Sequence, residues 1–108
     1  ELKPSTRQRF VALQFNYPDA KTEAEILINE TNIEETDAKK LVSMGNKIRN
    51  LTELGLAETV STRLLVDAAK LIKSGLPKRL AVKVAVVEPL TDDKDVTEAL
   101  TDLCNLMI

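Results

Sequence analysis

Three arginines, Arg7, Arg9 and Arg63, are the side chains of this sequence best suited to chemistry, and the chemistry they suit is recognition of phosphate. A guanidinium is permanently charged and planar, and it can bond two oxygens of one anion at once. The placement of Arg63 makes the point locally. Ser61 and Thr62 are good N-cap residues, and behind them Leu64, Leu65, Ala68, Leu71 and Ile72 fall on one face of a helix. Arg63 therefore sits in a first turn, where the macrodipole is positive and a carboxylate would be favoured. A cation there makes physical sense if an anion docks against it and the free N–H groups of Ser61, Thr62 and their neighbours. The alternative is a solvated surface arginine lying sideways, since a first-turn cation costs only about 0.3–1 kcal/mol.

Other chemistries lack their residues. There is no histidine, which removes the commonest general base and the commonest neutral metal ligand. One cysteine, Cys104, has no partner for a nucleophile pair or an internal disulfide. Gly45, Gly55 and Gly75 are isolated, so no glycine-rich phosphate loop exists. Asp92, Asp93 and Asp95 lack the spacing of a calcium loop and read as helix capping, so no metal site is expected. Lys70, Lys73, Lys78, Arg79 and Lys83 read as a solvated basic face.

The elements that must position the arginines are mostly helical. Val11, Leu13, Phe15 and Tyr17 alternate with Ala12, Gln14 and Asn16, a period-two pattern ended by Pro18. No comparable second strand follows, and one strand cannot satisfy its own backbone. It needs a missing sheet or a second chain, or it is poorly ordered; an extended arm lying on helices is the alternative. Downstream, Asp19 caps a helix of roughly residues 20 to 30, with Ala20, Ala24, Leu27 and Ile28 inward. A second helix spans roughly residues 35 to 53, with Ala38, Leu41, Val42, Gly45, Ile48 and Thr52 on one stripe. Gly45 marks a close approach to a neighbouring helix.

The Arg63 helix runs over roughly residues 62 to 74 and ends at a left-handed Gly75. Pro77 opens a fourth helix that turns Leu80, Ala81, Val84 and Ala85 inward and stops before Pro89. Its valine-rich run 81–87 also resembles a buried strand, but the alanines and the neighbouring helices favour helix. Thr91, Asp92 and Asp93 cap a last helix with Val96, Ala99, Leu100, Leu103 and Met107 inward. The expected fold is all-α, a compact bundle of about five helices after one lone N-terminal strand.

Composition agrees with a single modest domain: 108 residues, 44% hydrophobic and 30% charged. The net charge of −2 argues against a broad nucleic-acid surface. No apolar run approaches a membrane span and no signal peptide is visible, and the lone cysteine suits a reducing, cytoplasmic setting. The chain opens at Glu1 without a methionine and reads as a piece of something longer.

Three stretches carry a family resemblance: Leu2-Lys3-Pro4-Ser5-Thr6-Arg7-Gln8-Arg9-Phe10-Val11, Val60-Ser61-Thr62-Arg63-Leu64-Leu65 and Pro89-Leu90-Thr91-Asp92-Asp93. In this order they resemble the C-terminal region of the CbbQ/NorQ/NirQ proteins, of the MoxR branch of AAA+ ATPases, and the likeness spans essentially the whole chain. The resemblance implies that residues 1–17 end an ATPase core and that residues 18–108 are its helical lid. It implies that Arg63 is the sensor-2 arginine reaching the γ-phosphate of ATP in its own subunit, with Ser61 and Thr62 beside it. It implies that Arg9 is an arginine finger reaching ATP of the neighbouring subunit, a role that Arg7 shares or takes in the alternative. ATP with magnesium would be the parent protein's cofactor, with none held tightly by this stretch, because the phosphate loop, the magnesium motif and the catalytic glutamate are not in it.

The implied partners are its own AAA+ core domain, neighbouring subunits of a homo-oligomeric ring, a von Willebrand A domain protein and a client enzyme such as a Rubisco or a nitric oxide reductase. The implied activity is ATP-driven remodelling of that client. Without the resemblance, the residues read as a non-enzymatic helical interaction domain, or less well as a small nucleic-acid binder using residues 70–83.

Overall fold

Residues 17–51 and 59–108 are described by the structure, a computed structural model. They form five helices: α1, Ala20–Thr31; α2, Glu35–Arg49; α3, Thr62–Lys73; α4, a continuous rod over 78–90; and α5, Lys94–Met107. No strand occurs among the described residues. The expected strand over residues 10–17 lies, except for Tyr17, outside them, as do Arg7, Arg9, Thr52 and Gly55.

Helix boundaries follow from local chemistry. Asp19 caps α1 by accepting the Thr22 N–H at 2.8 Å. Asn32 ends it in the left-handed region (φ 62°), where a short polar side chain is tolerated. Ser61 caps α3, accepting the Leu64 N–H at 3.3 Å. That helix closes as a Schellman motif, with Leu76 N–H on the Leu71 carbonyl, Gly75 N–H on that of Ile72, and Gly75 at φ 111°. Asp93 caps α5, its Oδ1 accepting from Asp95 and Val96.

The fourth helix departs from expectation. Pro77 is its N-cap, and the helix does not stop before Pro89. After α-helical Lys78–Val82 the backbone widens into a π-helical Lys83–Val87 and returns to α over Glu88–Leu90. The widening is marked by Glu88 N–H donating to the Lys83 carbonyl, one residue further back than in an α-helix. A proline has no N–H to give and its ring clashes with the carbonyl four residues earlier, so a wider turn lets the rod continue past Pro89. The extra residue also rotates the buried stripe. Ala81, Val82, Ala85, Val86, Val87 and Leu90 are buried, whereas Leu80 and Val84, expected inward, are 47% and 44% exposed.

One core unites the bundle: Leu27, Leu41, Val42, Met44, Ile48, Val60, Leu65, Val86, Leu90 and Leu100 are all buried. Helix α3 packs against α1, α2 and α4 and so lies centrally, while α5 packs on α2 and α4. Ala20 and Ala99, expected inward, are exposed, and Met44 and Cys104 fill the core with the apolar stripes. Gly45 lies against α3 as expected: a Cβ there would stand 3.1 Å from Leu65 Cδ1 and 3.5 Å from Val60 Cγ1.

Two outcomes follow from this packing. Gly45→Val is expected to destabilise by about 2 kcal/mol in urea titration, because its methyl groups have no room beside Leu65. Burial pushes the Cys104 thiol up to about 11. At pH 8 it should therefore react with a thiol reagent far more slowly in folded than in urea-unfolded protein.

Candidate functional site: the start of helix α3

The start of α3 is held by a buried ion pair. Glu23 on α1 has a fully buried side chain (0% exposed) and Arg49, at the end of α2, is 6% exposed. Their contact is bidentate: Arg49 Nη1 donates to Glu23 Oε1 at 2.9 Å and Nη2 to Oε2 at 2.7 Å. Three further hydrogen bonds draw on the two groups. Arg49 Nη1 also donates to Asn46 Oδ1 at 2.8 Å, and Nε donates to the Val60 carbonyl at 2.8 Å. Thr62 Oγ1 donates to Glu23 Oε2 at 2.8 Å. Tyr17 lies against the guanidinium, 3.8 Å from its ring centre, and its hydroxyl donates to Thr59 Oγ1 at 3.3 Å.

This cluster joins the incoming chain at Tyr17, two helices, and the residues on either side of the Ser61 cap. Desolvating two charges is expensive, and saturating their hydrogen bonds is what makes it tolerable. The pair leaves little trace in the sequence, because Arg49 stands in the last turn of α2, where any cation suits the dipole. Glu23 lies directly beside Ala24 on the inward face of α1, and that was the only available signal.

The three sequence-predicted residues here have different fates. Ser61 spends its hydroxyl on the cap, and Thr62 turns its hydroxyl to Glu23. Arg63 is exposed, and among the described residues it has no ion pair or hydrogen bond, not even with Asp67 one turn on. The first turn of α3 holds no acid. The backbone N–H groups of Thr62 and Arg63 likewise find no acceptor among the described residues. An unpaired guanidinium thus stands beside two open N–H donors on a rigidly fixed helix start, an arrangement suited to an anion.

The neighbouring features belong elsewhere. A surface groove of about 500 Å³ between α1 and α2, lined by Ala24, Ile28, Val42 and Asn46 among others, does not include Ser61, Thr62 or Arg63. In the basic patch, Lys78 pairs with Asp37 at 2.7 Å, which holds its ammonium above the usual lysine range. Among the described residues no group of acids, cysteines or histidines could hold a metal ion, and no helix is long and apolar enough to cross a membrane.

Comparison with known proteins gives a consistent result. The sequence model of a family described as CbbQ/NirQ/NorQ C-terminal matches residues 23–107. The chain is 50% identical to the denitrification regulatory protein NirQ of Pseudomonas aeruginosa, over 99% of this chain and 41% of that protein. It is 46% identical to protein NorQ of Paracoccus denitrificans, over 94% of this chain and 38% of that one. It is 44% identical to protein CbbQ of Hydrogenophilus thermoluteolus, over 93% and 38%. The chain thus spans about two fifths of the length of these relatives.

The ion pair sets a stability expectation. Glu23→Gln leaves Arg49 buried without its counter-charge and should cost about 3 kcal/mol, read from the urea midpoint. Glu30→Gln, exposed on the same helix, should change it by less than about 0.5 kcal/mol.

Proposed function

The chain belongs to the CbbQ/NirQ/NorQ C-terminal family, and from that premise we propose that it is the ATP-sensing lid of a MoxR-type AAA+ ATPase. In this reading residues 1–17 end the ATPase core and residues 18–108 are the lid. The observation that carries it is Arg63, exposed and without a partner among the described residues, at the start of a helix whose first turn holds no acid. The donor set fits a terminal phosphate: one guanidinium fork and adjacent backbone N–H groups. Bound ATP, with magnesium held by the core, supplies the phosphoanhydride bond to be broken. This chain's part is to bind and orient: Arg63 answers the charge of the γ-phosphate, and the lid follows the nucleotide state.

Arg9 is proposed as the finger that reaches ATP in the adjoining subunit of a homo-oligomeric ring, with Arg7 as the alternative. The ring would couple hydrolysis to remodelling of a client metabolic enzyme, working in the cytoplasm with a von Willebrand A domain partner. The NirQ relative of Pseudomonas aeruginosa is named as a denitrification regulatory protein.

The test uses the full-length protein with its core. Arg63→Ala should lower ATP turnover at least about tenfold while thermal unfolding stays within a few degrees. Arg9→Ala should lower it by about a hundredfold or more. Mixing Arg9→Ala subunits with subunits that keep Arg9 but have an inactivated phosphate loop should restore part of the activity. If neither substitution changes turnover, the helical interaction-domain reading replaces this one.

A further inference from the structure

We infer that Glu23, Arg49 and Thr62 are positioning residues for Arg63, so that the ability to tell a triphosphate from a diphosphate depends on a buried cluster that touches no nucleotide. This rests on the proposed ATP-sensing role of Arg63.

The cluster grips the chain on both sides of the helix start. Arg49 Nε holds the carbonyl of Val60, one residue before the Ser61 cap. Glu23 Oε2 holds the hydroxyl of Thr62, the first helical residue and the one directly before Arg63. These are two separate grips, at 2.8 Å each, on a span of three residues. They come from the two halves of one bidentate pair, so neither can move without breaking the other's geometry. Ser61 between them is fixed by its own cap to Leu64. Val60 is fully buried and Leu65 anchors the far side of the turn in the core.

The first turn of α3 therefore has little rotational or axial freedom, and the Cα of Arg63 is set relative to α1 and α2 before any ligand arrives. A long side chain rooted on a fixed Cα loses less freedom on reaching its anion than one rooted on a fraying helix end. A fixed root also bounds the space its guanidinium can reach, and the proposed contact is with the third phosphate, which a diphosphate lacks. Tyr17, stacked on Arg49, places this same cluster at the point where the chain enters the helical domain.

A purely structural role for the cluster would change stability without changing nucleotide preference. The test therefore reads binding rather than turnover. In the full-length protein, dissociation constants are measured by calorimetry for ADP and for a non-hydrolysable ATP analogue. The variants are Thr62→Val, Thr62→Ser, Arg63→Ala and the Thr62→Val/Arg63→Ala pair. Thr62→Val matches the shape of threonine and removes only the hydroxyl bonded to Glu23, so the fold survives where Glu23 or Arg49 variants could fail. It should weaken the ATP analogue by about fivefold, the scale of one lost hydrogen bond, and leave ADP unchanged. Thr62→Ser should restore wild-type affinity. In the Arg63→Ala background Thr62→Val should have no further effect.

Equal weakening of both nucleotides, the same loss with and without Arg63, or no loss at all from Thr62→Val would overturn the positioning role. Those results are distinct from an Arg63→Ala protein that binds the ATP analogue as well as wild type does, which would remove the sensing role itself.

Discussion

A carboxylate and a guanidinium cannot be taken out of water together unless nearly every lone pair and proton they carry finds a partner. Glu23 and Arg49 meet that demand by recruiting Asn46, Thr62 and the Val60 carbonyl, and by stacking on Tyr17. The demand dictates geometry. For the pair to be saturated, α1 and the end of α2 must lie side by side, and the turn before α3 must pass within hydrogen-bond reach of both. The apolar core would tolerate small shifts of one helix along another. The ion pair does not, because its bonds are directional and their loss leaves a buried charge.

The rest of the bundle is consistent with that fixed point. Gly45 lets α2 approach Leu65 closely, which brings the α3 start down onto the cluster. The Schellman closure at Gly75 turns the chain sharply, so that α4 returns against α3. The π-helical turn before Pro89 carries α4 onward and rotates Val87 and Leu90 into the core, while Leu80 and Val84 face solvent. Arg63 is left as the exposed product of this arrangement, with its root held and its charge unanswered among the described residues.

Much of the fold was legible because its signals are local. Caps at Asp19, Ser61 and Asp93, the left-handed Gly75 and the apolar stripes of α2 and α3 each depend on residues within a turn of one another. The passage of α4 through Pro89 was not legible, because a proline after a valine run reads equally as a stop. Deciding otherwise needs the tertiary gain from burying Val87 and Leu90. Arg63 was visible as a cation in a position that favours an acid. The Glu23–Arg49 pair was invisible for the opposite reason. Its residues stand 26 positions apart, and each alone reads as an ordinary charged residue on a helix. Thr62 read as a second N-cap candidate beside Arg63, and only the structure shows its hydroxyl donated inward to Glu23.

The central claim is that a guanidinium held on this fixed helix start meets the terminal phosphate of ATP. It is tested most directly by the side-chain Nε–Hε resonance of Arg63, assigned by substitution, in nitrogen-15-labelled full-length protein. A non-hydrolysable ATP analogue with magnesium should shift that resonance and slow its exchange with solvent, while saturating ADP leaves it in place. A resonance that stays where it is in the presence of both nucleotides would contradict the account.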